Sequence, residues 1–161
     1  GTAYHSGLMG EYILPKLIDK PVYSHIASEW NTKKIIFNQN NLYVFISQSG
    51  ETFDTIEAVK KTKKHNCKTL CITNTTYSTL AKQCDYVLPI FAGKEIAVAS
   101  TKVYNTTILL LLILANSLIK IKNKQNDFFN LNSINTSELK QVCSYNYESI
   151  VNFMQNFKNI I

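Results

Sequence analysis

The sequence predicts an α/β domain with a mostly parallel sheet between layers of helices. Three apolar stretches of strand length, centred on Val44, Leu70 and Val87, alternate with stretches whose apolar residues recur at helical spacing. Turns rich in hydroxyl or small residues separate the two kinds of stretch. Strands and helices that alternate in this way form βαβ units, because parallel neighbours require a long crossover connection.

Length and composition fit a single globular domain: 161 residues, of which 45% are hydrophobic and 17% charged. The net charge of +6 is spread over lysines at helical spacing with no interleaved aromatic residues, so we expect no nucleic-acid surface. None of the four cysteines has C-x-x-C spacing, which favours neither a zinc site nor a redox motif and fits reduced thiols in a cytoplasmic protein. The longest apolar run, 108–115, is too short to span a bilayer and predicts a buried helix, so no membrane partner is expected.

The amino-terminal region predicts a turn over residues 1–7 that leads into a helix over 8–17. Such a turn normally follows a strand, and the chain begins with Gly1 in place of Met, so we expect the first strand of the sheet to lie upstream of Gly1. The apolar and aromatic residues of 21–27 predict a strand, and Ser28 with Glu29 predicts the start of the next helix.

The remaining elements follow from the same two periodicities. Strands are predicted at 42–46, 68–75 and 86–91. Pro89 in the last one predicts either an edge position in the sheet or a break late in the strand. Helices are predicted at 53–65, 78–83 and 101–120. A polar, Asn-rich stretch at 123–135 predicts a linker, and a helical period resumes over 136–161.

A candidate anion site lies where the central strand ends. Ser47, Ser49 and Thr52 surround Gly50 between an apolar strand and the start of a helix. Unpaired amides and the positive end of the helix dipole favour a negative ligand there, three hydroxyls add donors, and glycine lets a ligand approach the backbone. No Lys or Arg lies on the ligand side of this turn, which suits a small phosphomonoester better than a polynucleotide.

A structural interpretation of the same turn is also open. Ser and Thr are ordinary helix caps, and Asp54 with Glu57 would help to close the first helical turn. Three hydroxyls around one glycine exceed what a cap requires, which favours the ligand interpretation. His5 and His25 have no acid or thiol neighbour that would suggest a triad, so structural roles are expected for both.

Three motifs resemble, in their order along the chain, the first sugar isomerase (SIS) domain of the glutamine:fructose-6-phosphate amidotransferase family. They are Gly1-Thr2-Ala3-Tyr4-His5, 46–55 and 95–102, and the resemblance runs from Gly1 to about Leu118. It implies a three-layer αβα sandwich with a five-stranded parallel sheet. A SIS domain over 1–122 would be followed by the linker 123–135 and by a helical segment, 136–161, that leads to a second SIS domain.

The resemblance also implies functional residues. Four would hold the phosphate of fructose 6-phosphate: Ser47, Gln48, Ser49 and Thr52. Three would line the sugar: Thr2, Val98 and Ser100. The chain departs from the family at three positions: Ala3 where Ser is frequent, Lys94 where Pro is usual, and Ala97 where Gly is usual.

No catalytic residue is predicted in this chain. In the family the acid–base, Schiff-base and nucleophilic residues belong to the second SIS domain, the carboxyl-terminal tail and a glutaminase domain, so Glu51, Glu95 and Lys102 are expected only in supporting roles. The resemblance implies a homodimer, no metal and no organic cofactor. We therefore expect a fructose-6-phosphate-binding part of an enzyme that makes glucosamine 6-phosphate from fructose 6-phosphate and glutamine, inactive by itself.

Two other functions are compatible with a SIS domain. One is a regulatory domain that senses a phosphosugar and controls a partner such as a DNA-binding module. The other is a structural dimerisation domain whose site is empty, which the alanine at position 3 and the altered 94–97 loop would permit. The loop sequence Glu-Ile-Ala-Val-Ala-Ser-Thr-Lys, residues 95–102, favours the enzyme over both.

Overall fold

The computed structural model describes residues 1–94, 100–123, 146, 148–156 and 159–160. The helices in these ranges are α1 (Thr2–Ile18), α2 (Ala27–Thr32), α3 (Phe53–Lys63), α4 (Thr79–Gln83), α5 (Thr101–Asn123) and α6 (Glu148–Met154). The strands are β1 (Asn41–Ile46), β2 (Lys68–Thr73), β3 (Tyr86–Pro89) and β4 (Asn159–Ile160). Most predicted elements are therefore confirmed to within a few residues. The turn predicted over residues 1–7 is wrong, because α1 already begins at Thr2.

The strands form one parallel sheet in the order β3-β2-β1-β4. The central pair, β1 and β2, is in register from Leu42 opposite Lys68 to Ile46 opposite Ile72. The carboxyl ends of β1 and β2 therefore lie side by side, and the turn after each strand emerges at the same edge of the sheet. Among the described residues β3 lies at an edge of the sheet, next to β2, and it ends at Pro89. Both outcomes predicted for a strand that contains proline are therefore present.

Helices cover both faces of the sheet, so the predicted three-layer α/β architecture is confirmed. Alternate residues of β1 and β2 enter two different apolar clusters, because successive side chains of a strand point to opposite faces. One cluster joins Leu42, Leu70 and Ile72 to α1, α5 and α6. The other joins Tyr43, Phe45 and Cys71 to residues of α2, α3 and α4.

The carboxyl-terminal part differs from its prediction. Residues 124–145 lie outside the described residues, and with them most of the predicted linker. Helix α6 falls inside the predicted helical segment 136–161, but Asn159 and Ile160 form a strand that pairs with Asn41 and Leu42. The chain comes alongside β1 there, so the backbone groups of these two residues pair with β1.

The predicted strand over residues 21–27 is wrong. The segment is extended, but only Val22 makes a bridge, and α2 begins at Ala27. The backbone N–H of Ser24 donates to the Glu11 side chain (N···Oε2 2.8 Å) in place of a neighbouring strand. A β-rich composition forms a strand only where a partner edge is within reach, and here a carboxylate on α1 satisfies the backbone instead.

The apolar part of α5 is longer than the run 108–115 on which its prediction rested. Residues Thr101–Ile121 are long and apolar enough to cross a bilayer by length and composition alone. However, Leu110, Ile113 and Leu114 are buried in the core cluster shared with α1 and α6. The core of a soluble protein passes the same test, so the predicted buried helix is the arrangement that the structure contains.

Candidate functional site

The turn of residues 47–52 joins β1 to α3 and is fixed to the end of β2. The Ser47 N–H donates to the carbonyl of Ile72 (3.0 Å), which continues the β1–β2 ladder by one residue. The carbonyl of Gln48 accepts from the Asn74 N–H (3.1 Å) and from the Thr73 hydroxyl (3.3 Å). The predicted phosphate turn is thus held at the carboxyl edge of two adjacent strands.

Two of the three predicted hydroxyls meet within this turn. Ser47 Oγ lies 3.0 Å from Thr52 Oγ1 and also accepts the Gly50 N–H at 3.1 Å. Ser49 Oγ accepts the Glu51 N–H at 3.2 Å. Ser47 is 3% exposed, whereas Ser49 and Thr52 face solvent. The buried serine therefore orients the exposed threonine, and the two exposed hydroxyls stay accessible to a ligand.

The simple capping interpretation does not describe this turn. Thr52 is the N-cap residue of α3, yet its side chain makes no hydrogen bond to the helix amides. In contrast, Ser78 caps α4 by accepting the Ala81 N–H at 3.3 Å. Because the first amides of an α-helix have no partner within the helix, the start of α3 offers donors that its own cap leaves unused.

Gly50 is required for a different reason from the one predicted. Its φ of 67° lies in the left-handed region, which residues with a Cβ rarely adopt. A Cβ at this position would collide with the Ser78 side chain and lie 3.1 Å from Thr73 Oγ1. The missing Cβ therefore makes room for the segment before α4, and Gly50 is buried and does not open the backbone to a ligand.

The turn contains one acidic residue, Glu51, and its carboxylate bonds α4. Glu51 Oε1 accepts the backbone N–H of Thr79 at 2.8 Å, and this hydrogen bond lowers the pKa of the Glu51 carboxyl, with a smaller contribution from Lys82. The negative charge thus lies against the first residue of α4. Glu51 joins the turn to α4, which agrees with the supporting role predicted for it.

The start of α1 approaches the turn across a cavity of about 380 Å³. Gly1, Ala3 and Thr52 line it together, and its deeper walls are apolar residues such as Ile72 and Leu114. Thr2, one of the predicted sugar-lining residues, is exposed at the first position of α1. Thr52 and the amino end of α1 therefore border one cavity, although they are about 50 residues apart in sequence. The other predicted ligand residues do not line it: Thr2, Ser47, Gln48, Ser49 and Ser100.

Of the two other predicted sugar-lining residues, Val98 and Ser100, the structure describes only Ser100. Val98 lies outside the described residues. Ser100 directly precedes α5, and its Oγ is buried without a hydrogen-bond partner among the described residues. A buried hydroxyl without a partner is rare in folded proteins, so Ser100 has unused capacity to bind a ligand group.

Asn74 is a site-forming residue that sequence reasoning missed. The sequence placed it only near the end of the predicted strand 68–75, yet its side chain bonds the residues that follow β3. Its Oδ1 accepts the Ala92 N–H (2.9 Å) and its Nδ2 donates to the Gly93 carbonyl (2.6 Å). A polar residue directly after a buried strand was the available signal. Among the described residues, no three His, Cys, Asp or Glu side chains gather as a metal site would require.

The family profile of the SIS domain matches residues 1–117, which is well over half of the sequence. The chain belongs to the SIS domain family. It is homologous to part of the glutamine–fructose-6-phosphate aminotransferases (isomerizing). Over 128 residues it is 42% identical to the enzyme of Bacillus thuringiensis subsp. konkukian and 45% identical to that of Shouchella clausii. Both matches cover 80% of this chain and 21% of the relative, so the chain spans about a fifth of those proteins.

A solved structure supports the same assignment of this SIS domain. The C-terminal domain of glucosamine-fructose-6-phosphate aminotransferase from Francisella tularensis superposes with a TM-score of 0.74 at 32% identity. The match covers 97% of this chain and 40% of the other. The structural similarity therefore extends well beyond residue 117.

Proposed function

We propose that this SIS domain binds fructose 6-phosphate as part of a glutamine–fructose-6-phosphate aminotransferase (isomerizing). The observation that carries the proposal is the Ser47–Thr52 hydroxyl pair, 3.0 Å apart, at the start of a helix whose N-cap side chain leaves the helix amides unused. Such an arrangement stabilises phosphoryl oxygens through neutral donors and the helix dipole. The 42–45% identity to aminotransferases supports this substrate over other phosphosugars.

The proposed contacts divide between the phosphate and the sugar. The phosphate would be held by Ser47, Gln48, Ser49 and Thr52. The sugar would be lined by Thr2, Val98 and Ser100. The shared cavity of Thr52 and Ala3 supports a ligand that reaches from the turn to the start of α1. The alanine at position 3 offers the sugar no hydroxyl, so Thr2 would make the polar contact on that side.

The reaction of the whole enzyme would join ammonia from glutamine to the ketose carbonyl, and proton transfers would then yield the aldose amine. This chain would hold the substrate by its phosphate and leave the chemistry to residues of other segments. We further propose a cytoplasmic homodimer that supplies amino-sugar synthesis, with no nucleic-acid or membrane partner. The chain's dispersed lysines and its α/β core support a soluble enzyme of this kind.

Calorimetric titration of the chain with fructose 6-phosphate tests the proposal. We expect binding to the wild type and a loss of affinity of about 10- to 150-fold in Ser49→Ala, since a hydrogen bond to a charged acceptor contributes roughly 1.5–3 kcal/mol. Absence of binding to the wild type would overturn the proposed function and leave a structural domain. Production of glucosamine 6-phosphate from fructose 6-phosphate and ammonium by this chain alone would instead show that the catalytic groups are present in it.

A further inference from the structure

Asn74 is the first residue after β2, and its backbone is hydrogen-bonded to the turn of residues 47–52. Its N–H donates to the Gln48 carbonyl at 3.1 Å. The preceding residue, Thr73, accepts the Ile90 N–H at its carbonyl (2.9 Å), which continues the β2–β3 ladder. Asn74 therefore stands between the turn after β1 and the chain that leaves β3.

The side chain of Asn74 continues the β2–β3 hydrogen bonding beyond the last backbone pair. Phe91 and Gly93 have φ values of 55° and 66°, so the chain bends sharply after β3. The Asn74 amide accepts the Ala92 N–H at 2.9 Å and donates to the Gly93 carbonyl at 2.6 Å. One side-chain amide thus satisfies two backbone groups of the bend, as a peptide group of a neighbouring strand would.

The far end of the bend is fixed to α5. Lys102 Nζ donates to the Lys94 carbonyl at 2.9 Å, so residues 92–94 are held by Asn74 on one side and by the first turn of α5 on the other. Ser100 directly precedes this same helix, and its carbonyl accepts the Tyr104 N–H. Its buried Oγ has no hydrogen-bond partner among the residues that the structure describes. The hydrogen bonds of Asn74 therefore link the position of the phosphate turn to that of Ser100.

We propose that Asn74 is a positioning residue that sets the spacing between the phosphate-binding turn and the sugar-binding start of α5. The inference rests on the proposed function, because it assigns phosphate to the turn and sugar to Ser100. Only the side chain of Asn74 bonds the bend, whereas only its backbone bonds Gln48. Substitution of the side chain should therefore affect recognition of the sugar and leave recognition of the phosphate intact.

Two ligands separate these effects. Calorimetric titrations of the chain with inorganic phosphate and with fructose 6-phosphate are compared for the wild type, Asn74→Ala and Asn74→Asp. Asn74→Asp keeps an acceptor for the Ala92 N–H and replaces the donor to the Gly93 carbonyl by a second acceptor. The exposed neighbour Thr76, substituted as Thr76→Ala, is the matched control. Thermal unfolding of each variant shows whether the fold is kept.

We expect both Asn74 variants to bind inorganic phosphate within twofold of the wild type and fructose 6-phosphate about tenfold more weakly, while Thr76→Ala changes neither. Equal losses for both ligands, or no loss for fructose 6-phosphate, would overturn the role of Asn74. Unfolding of both variants would also overturn it, since Asn74 would then support the fold as a whole. A wild type that binds neither ligand would contradict the proposed function itself, which distinguishes the two failures.

Discussion

The hydroxyl of Thr52 lies 3.0 Å from that of Ser47, although Thr52 is the residue that should cap α3 with its side chain. This places the threonine hydroxyl in the turn and leaves the helix amides available. A capping hydroxyl contacts a helix amide, as that of Ser78 does, whereas the hydroxyl of Thr52 contacts another hydroxyl of the turn.

Thr52→Val removes this hydroxyl and keeps the side-chain shape. We expect fructose 6-phosphate affinity to fall by 10-fold or more, because a donor to the phosphate is lost, while the free energy of unfolding falls by at most about 1 kcal/mol. Calorimetry and urea denaturation measure the two quantities. Ser78→Ala, which removes a true helix cap at a similar cost of about 1 kcal/mol, is the control and should leave affinity unchanged. Equal effects of the two variants on affinity would contradict the assignment.

Gly50→Ala should destabilise the domain by about 2–4 kcal/mol, because the new Cβ collides with Ser78 and the backbone φ of 67° is strained for alanine. Urea denaturation measures the loss. Gly1→Ala, whose Cβ would have no atom within 4 Å, is the matched control.

A Ser78→Gly background separates the two causes. There the collision with Ser78 is absent, and Gly50→Ala should cost only about 1–2 kcal/mol, the part due to the backbone angle and to the close approach of Thr73 Oγ1. The same loss in both backgrounds would show that Ser78 is not the obstacle.

Ser100→Ala tests the buried hydroxyl without a partner. Since no described residue bonds Ser100 Oγ, we expect the free energy of unfolding to change by less than about 0.5 kcal/mol, while fructose 6-phosphate affinity falls. Ser117→Ala on the same helix, whose hydroxyl already donates to the Ile113 carbonyl at 2.9 Å, should leave affinity unchanged. A marked loss of stability in Ser100→Ala with full affinity would assign Ser100 to the fold.

Asp85 predicts a pH dependence of stability. Burial raises the pKa of this carboxyl, but hydrogen bonds from Lys63 (2.6 Å) and Thr69 (2.9 Å) outweigh it, and the pKa is lowered. A lowered folded-state pKa gives stability above the unfolded value of about 4, and this stability is lost as the pH falls through the folded value. The wild type should therefore exceed Asp85→Asn by about 1 kcal/mol at pH 7, and the difference should begin to shrink near pH ~4 and disappear only below the lowered folded-state pKa.

Urea denaturation of both proteins between pH 2 and pH 7 measures this difference. Glu57→Gln removes an exposed partner of Lys60 and should change stability by less than about 0.5 kcal/mol at any pH. A difference for Asp85→Asn that grew on acidification would contradict the sign of the shift.

The sequence was most informative where structure depends on neighbours along the chain. Apolar runs, helical spacing and a cluster of hydroxyls located β1, the turn of residues 47–52 and α3, because these features act within one or two turns of backbone. The segment 21–27 failed for the opposite reason, since a strand also needs a partner edge, and Glu11 took the backbone N–H of Ser24 instead.

The same limit applies to the candidate site. Ser47 and Thr52 are five residues apart and could be paired from sequence, whereas Asn74 bonds residues 18 and 19 positions later. That contact depends on β2 and β3 lying side by side. The reason for Gly50 was also hidden, because Ser78 reaches it only in the folded domain.

The packing of α6 affects where this domain can be cut. The family match ends at residue 117, yet Ile150, Val151 and Met154 are buried in the same cluster as Leu110 and Leu114 of α5. A shorter version ending at residue 117 would expose the apolar residues of α5 that α6 covers, and we expect it to aggregate. Expression of this domain for binding studies therefore needs the carboxyl-terminal helix, which similarity to the family alone would have discarded.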